Sequence, residues 1–303
     1  MQRANGSLIR QVSLVLLGAF SALVSAGTAS ADSAILVTAC GTVLDAPGHY
    51  VLPADLVCDS GSAGVLITAD DVDLDLNGHA LKATASIDVG IVTATTGRDT
   101  IPPNGVHCVA AQNAHIHNGK ITGFRMGIFL CARDENGANM NATVEHMQVT
   151  QNEIGMQLFQ SGHNIIRDNN LSRNQHGDGL DVGCPEDAPA GCGSGNVISG
   201  NVIDNNSFTG MFVSSGNNHI TGNNISRSPN VGLYLFNNGN NEVEGNVLTA
   251  NGAGLVVTGQ DNRVSRNRVF NSRDKDISGD SQDCSHNRWE SNQFGTSSAS
   301  CIK

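Results

Sequence analysis

The sequence predicts an all-β chain wound as a right-handed parallel β-helix of roughly 8–10 short coils. Two observations predict it. Asparagines recur in pairs five residues apart, at Asn164/Asn169, Asn196/Asn201, Asn218/Asn223, Asn241/Asn246, Asn262/Asn267 and Asn287/Asn292. A glycine followed by apolar-x-apolar recurs with them, as in Gly155-Met156-Gln157-Leu158, Gly210-Met211-Phe212-Val213 and Gly232-Leu233-Tyr234-Leu235. Successive copies lie about 22 residues apart, a repeat length that signals a stacked architecture.

The period explains each element. The runs between Asn and Gly are three to five residues long and alternate like strands. They are too short for helices, and Asn and Gly tolerate the left-handed conformation that tight corners need. One coil cannot bury its apolar face; a stack at the ~4.8 Å strand spacing can. Asparagines at one place in successive coils can then hydrogen-bond up the stack, as side-chain ladders do in cross-β structures. Asn113/Asn118 and Asn141/His146 read as earlier, partly degraded copies. Asp71-Val-Asp-Leu-Asp-Leu-Asn-Gly78 superficially resembles a calcium loop, but its strict alternation suits a strand and the distal Glu is missing. Residues 83–104 are expected to be a loop excursion.

The ends follow from other signals. Arg3 and Arg10 precede an apolar run, Val12–Leu23, too short to span a bilayer, and Ala29-Ser30-Ala31 fits a cleavage site. Residues 1–31 are expected to be a signal peptide and 32–303 a single β-helix domain, secreted or periplasmic. Eight cysteines behind such a segment favour disulfides. Sequence does not fix their connectivity. Sequential pairing is the simplest expectation, with Cys40–Cys58 and Cys284–Cys301 tying the end caps and Cys184–Cys192 pinning a loop. With neither a CxxC nor an HExxH motif, zinc is not expected. A formal net charge of −11 disfavours nucleic acid and anionic membranes. A monomer is expected.

The Leu-Asp-Leu-Asn-Gly-His run at 74–79, the His-Asn-Gly-Lys-Ile run at 117–121 and the repeats to residue 294 resemble the pectate-lyase-like right-handed β-helix superfamily. The resemblance covers nearly all of the mature chain. It implies this fold, and it implies that the sheet carrying the Gly-apolar-x-apolar strands floors a substrate groove. It says little about reaction, because lyases, hydrolases, epimerases and non-catalytic proteins share the fold.

Alternation then assigns an outward stripe on that sheet. Its x positions read His107, Phe129, Gln157, Asp181, Phe212, Tyr234 and Val256, and its next outward positions Cys131, Phe159, Gly183, Ser214, Phe236 and Thr258. Five of the twelve aromatic residues fall here, which marks either a ring-stacking surface or a satellite core under loops. The expected binding residues are His107, Phe129, Arg133, Gln157, Phe159, Phe212, Tyr234 and Phe236. Gln175-His176-Gly-Asp178-Gly-Leu-Asp181 supplies the candidate acid/base residues Asp181, Asp178 and His176. This segment resembles the Asp-Gly-Leu/Ile-Asp strand of polygalacturonase-type hydrolases, whose paired Asp-Asp, Gly-His-Gly and Arg-x-Lys elements do not accompany it here. His115 and His117 sit at a chelating i, i+2 spacing on another strand, but a polar outer face is the preferred reading. No metal site is assigned, no cofactor is expected, and a calcium requirement is left open. The cation-poor stripe argues against polyuronate cleavage of the usual design. Three functions stay open: a carbohydrate-processing hydrolase, lyase or epimerase on a glycan; an isomerase or cyclase on a hydrophobic small molecule; and a non-catalytic repeat protein for binding or surface assembly.

Overall fold

The computed structural model describes residues 33–93, 111–132, 140–184, 191–237, 239–279, 284 and 286–303. The chain is a right-handed parallel β-helix of about nine turns, with no helix among the described residues. Three parallel sheets of thirteen, ten and five strands form its faces. Strands of every sheet contribute inward residues to a common interior, two per strand on most of the ten-stranded sheet, such as Met156 with Leu158 and Leu180 with Val182. On the ten-stranded sheet, Leu130, Leu158, Val182, Val213, Leu235 and Val257 stack in register and are fully buried. Ile116, Val144, Ile166, Ile198, Ile220, Val243 and Val264 do the same on the thirteen-stranded sheet.

The corners carry the coil-to-coil register. Each corner residue adopts positive φ, as at His163, Asp168, Arg173, Asn217 and Asn240, and the residue after it turns into the interior. From residue 164 onward that next slot holds a buried asparagine at two corners. Asn201 shows the arrangement. Its Nδ2 donates to the Ile166 carbonyl at 2.9 Å and to Asn223 Oδ1 at 2.9 Å, while its backbone N–H donates to the same Oδ1 at 3.0 Å. Buried amides satisfied in this way cost little, whereas unsatisfied ones cost much.

A third ladder, absent from the two-asparagine reading, runs along the remaining corner through Asn152, Asn174 and Asn206. It is interrupted at Ser228, whose hydroxyl has no hydrogen-bond partner and whose backbone N–H donates to the next amide, Asn251 Oδ1, at 2.9 Å. Two expectations are corrected. Asn113, Asn118, Asn141 and His146 are not ladder members: they are the positive-φ residues themselves, and Ala114, Ala142 and Met147 fill the buried slots that follow. Residues 83–104 are not all excursion, because Val89–Thr93 is a strand of the ten-stranded sheet. The segment at 71–78 is indeed a strand, Val72–Asp75, between positive-φ corners at Asp71 and Asn77.

Cys40–Cys58, Cys184–Cys192 and Cys284–Cys301 are disulfide-bonded in the sequential pairing. Cys131 is also in a disulfide, while Cys108 lies outside the described residues. The glycines that open the second-sheet strands are needed for close approach: a Cβ at Gly155 would lie 2.3 Å from the Gly179 carbonyl oxygen, and one at Gly210 2.6 Å from that of Gly232.

Two stability predictions follow from the ladders. Asn223→Ala removes four hydrogen bonds and orphans the Asn201 N–H, so a loss of about 3 kcal/mol is expected by urea unfolding. The exposed neighbour substitution Asn224→Ala should change stability by less than about 0.5 kcal/mol. Ser228→Asn fills the gap between Asn206 and Asn251, and a higher midpoint, by about 1 kcal/mol, is expected.

Candidate functional site

The outward face of the ten-stranded sheet divides into two halves. In the register, Val92, Phe129, Gln157, Asp181, Phe212, Tyr234 and Val256 form one column. Val92 therefore occupies the place expected for His107, because the preceding strand of this sheet is Val89–Thr93; His107 itself lies outside the described residues, as does Arg133. Phe129 is only 2% exposed. It packs outside the main core with Leu66, Val89, Val92, Met126 and Cys131, against a half-buried Phe159. This half of the stripe is a satellite core, which corrects the expectation that Phe129 lines an open groove.

The other half is open to solvent. Phe212, Tyr234 and Phe236 are half-buried and pack on one another with ring centroids 5.6–5.9 Å apart. Three partly exposed rings on neighbouring coils present an apolar platform. Directly below Phe212 in the column stands Asp181.

Asp181 and Asp178 are brought together. Gln157 Nε2 donates to Asp181 Oδ2 at 2.7 Å, which leaves Oδ1 turned towards Gly183; a Cβ there would stand 3.2 Å from it. The Thr209 backbone N–H donates to Asp178 Oδ1 at 2.9 Å. Burial pushes the Asp181 carboxyl up to about 7, and the nearby Asp178 charge adds to the effect. Burial likewise pushes Asp178 up to about 6, against the Thr209 hydrogen bond. Carboxyls titrating between 6 and 7 can donate or accept a proton at neutral pH. His176 stands on the exposed corner beside Arg125, Gln151 and Glu153, with no described hydrogen bond or ion pair to either aspartate.

A second constellation lies on the thirteen-stranded sheet. Strands Gly48–Val51, Val72–Asp75, His115–Thr122 and Thr143–Val149 are neighbours, and register pairs His49 with Asp73, Asp73 with His115, and Asp75 with His117. Asp73 Oδ1 lies 3.0 Å from His115 Nδ1 and 2.9 Å from His117 Nε2, while Asp73 Oδ2 lies 2.7 Å from His49 Nδ1. Burial works to raise the Asp73 carboxyl, but hydrogen bonds from His49 and His117 and the histidine charges hold it below its ordinary value. Asp73, His115 and His117 each offer a donor atom, all within 4.8 Å of one another. Two imidazoles and a carboxylate form a donor set that suits copper or zinc rather than calcium. The sequence showed His115-x-His117 and Asp73-x-Asp75 with equal outward parity. It could not show that the register stacks them.

The model of the family "Periplasmic copper-binding protein (NosD)" matches residues 64–299. No curated protein matches the sequence. Among solved structures, the chain is similar to an alginate lyase from Paenibacillus sp., with a TM-score of 0.58 and 15% identity over 89% of this chain and 99% of that one. It is also similar to a mutant of the periplasmic alginate epimerase AlgG (TM-score 0.54, 15% identity, 89% of this chain and 74% of that). A third is the mannuronan C-5 epimerase AlgE4 A-module of Azotobacter vinelandii (TM-score 0.51, 13% identity, 89% of each). Likeness at this identity concerns the fold.

The raised carboxyls generate a pH prediction. Between about pH 4 and 7 the folded chain holds protons that the unfolded chain, with carboxyls near 3.8, has released. Stability therefore falls as pH rises through that window. Asp181→Asn should match the parent chain near pH 4 and exceed it at pH 8 by about 2–4 kcal/mol, at roughly 1.36 kcal/mol per pKa unit. A difference that does not vary with pH, in unfolding curves across that range, would contradict the environment assigned to Asp181.

Proposed function

The chain belongs to the NosD family of periplasmic copper-binding proteins, and from that footing we propose that it is a periplasmic β-helix enzyme that processes a glycan by acid/base chemistry. The observation that carries the reading is the Asp178–Asp181 pair, raised into the neutral range, next to the Phe212–Tyr234–Phe236 platform. Sugar rings stack on such aromatic faces, and the platform sets a bound ring over the sheet beside Asp181. Near pH 6.5 the pair holds about one proton between its two carboxyls. The protonated member donates to the sugar atom that gains a proton, and the ionised member accepts from the group that loses one. Gln157 fixes Asp181 through Oδ2 and leaves Oδ1 for the exchange. The similar structures named alginate lyase and alginate epimerase support a polysaccharide as the substrate class. The described outward columns carry no Lys or Arg, which favours a neutral glycan over a polyuronate.

A second reading, copper binding, is favoured by the family description together with the Asp73–His115–His117 donor set. Bound there, copper would supply one-electron and Lewis-acid chemistry on a face other than the one bearing the carboxyl pair.

Assays on a panel of neutral and uronate glycans, read by new reducing ends and by absorbance of unsaturated products, test the enzyme reading. Asp181→Asn is expected to lower kcat 100-fold or more, within the usual range for loss of a general acid or base. Tyr234→Ala is expected to raise KM by about 3–10-fold, the worth of one stacking contact. Full activity in Asp181→Asn would sink the assignment.

A further inference from the structure

We propose that Asp73 Oδ1, His115 Nδ1 and His117 Nε2 form a single mononuclear copper(II) centre, with His49, Glu145 and Arg167 as its positioning residues. The inference rests on the copper reading above and goes beyond it by assigning ligand atoms and an outer shell.

Distances come first. Two ligands bound ~2.0–2.2 Å from one ion, at tetrahedral or right-angled separation, stand ~2.9–3.4 Å apart. Asp73 Oδ1 is 3.0 Å from His115 Nδ1 and 2.9 Å from His117 Nε2. The same spacing serves a hydrogen bond between neutral or charged imidazoles and the carboxylate. The atoms therefore need little movement to exchange a shared proton for an ion.

The remaining ring nitrogens distinguish the two cases. A metal-ligating histidine usually gives its second N–H to a carboxylate, which fixes the tautomer and raises ligand basicity. His115 Nε2 lies 2.9 Å from Glu145 Oε1, and Glu145 is in turn held by Arg167 Nε. His117 Nδ1 lies 3.8 Å from Asp75 Oδ1. His115 thus bonds Asp73 with one nitrogen and an outer carboxylate with the other, whereas Asp75 lies beyond hydrogen-bond reach of His117 Nδ1. They stack 4.2 Å apart, which fixes their mutual orientation. His49 holds Asp73 Oδ2 at 2.7 Å, so the carboxylate is oriented with Oδ1 between the two histidines.

Charge agrees. Asp73, Asp75 and Glu145 surround the centre, and Arg167 is the cation bonded to Glu145. A dication is thereby attracted, and nitrogen donors favour copper among the divalent first-row ions. Every residue named sits on hydrogen-bonded strands of one sheet, so the backbone is already in place when the ion arrives.

The test is a titration of the tag-free, signal-free chain with copper(II) alone, followed by calorimetry and by electron paramagnetic resonance. One tight equivalent with nitrogen hyperfine splitting is expected. His115→Gln/His117→Gln should lose that signature and weaken binding at least 100-fold, with an unchanged circular dichroism spectrum. Glu145→Gln should weaken it 10–100-fold and keep the nitrogen signature, as expected of an outer-shell residue. A parent chain that takes up no copper overturns the copper reading and this centre together. A double variant that binds one equivalent with the parent's spectrum overturns the centre alone.

Discussion

A parallel β-helix must turn three times per coil and still leave no backbone amide unpaired against its apolar interior. In this protein the buried asparagine amide at the corner meets that demand. Oδ1 takes the backbone N–H and side-chain N–H of the coil before, as Asn223 does for Asn201, and Nδ2 reaches the next coil and a strand carbonyl, that of Ile198. A turn that would expose polar groups to a dry core becomes a continuous hydrogen-bonded column. The positive-φ residue before the amide makes the geometry available; it is Gly at 195, 200, 222 and 245, and Asn, Asp, His, Arg or Gln elsewhere, as at Asn217, Asp168, His163, Arg173 and Gln151.

Everything functional inherits that register. Once the corners fix coil on coil, outward residues about one coil apart become vertical neighbours at strand spacing. Gln157, Asp181, Phe212 and Tyr234 come from four coils and form one strip of surface. His49, Asp73 and His115 do the same on another face. The surface is therefore written across the sequence in steps of one period, and its two chemically distinct clusters sit on separate sheets.

This accounts for what was legible beforehand. The coil repeat and the inward columns follow from alternation and period, and the structure agrees with them; in the outward stripe Val92 stands where His107 was expected. The strand at Val89–Thr93 escaped because its flanks lack the asparagine signal. The slots at Ala114 and Ala142 escaped because a polar residue, one position early, imitated the ladder. The third ladder was hidden by its serine substitutions at 228 and 272. At the site, Asp178 and Asp181 were legible as candidates but their separation was not, because a Gly lies between them, and the burial of Phe129 was not, since exposure depends on what covers a face. The histidine cluster was half visible: His115-x-His117 was plain, but its partner at Asp73 is 42 residues away and only coil-to-coil register joins them.

The corner amides also separate two properties that most folds couple. Asn164 and Asn196 are 32 residues apart, whereas Asn196 and Asn218 are 22 apart, yet the amide bonds between them have the same length to within 0.1 Å. The ten additional residues fall in the sequence between the Leu180–Gly183 strand and Asn196. The column is indifferent to contour length. Chain can be added or removed at the rim of one sheet, beside the aromatic platform, without altering the pitch of the helix, so the surroundings of that platform can diversify while the frame beneath stays constant.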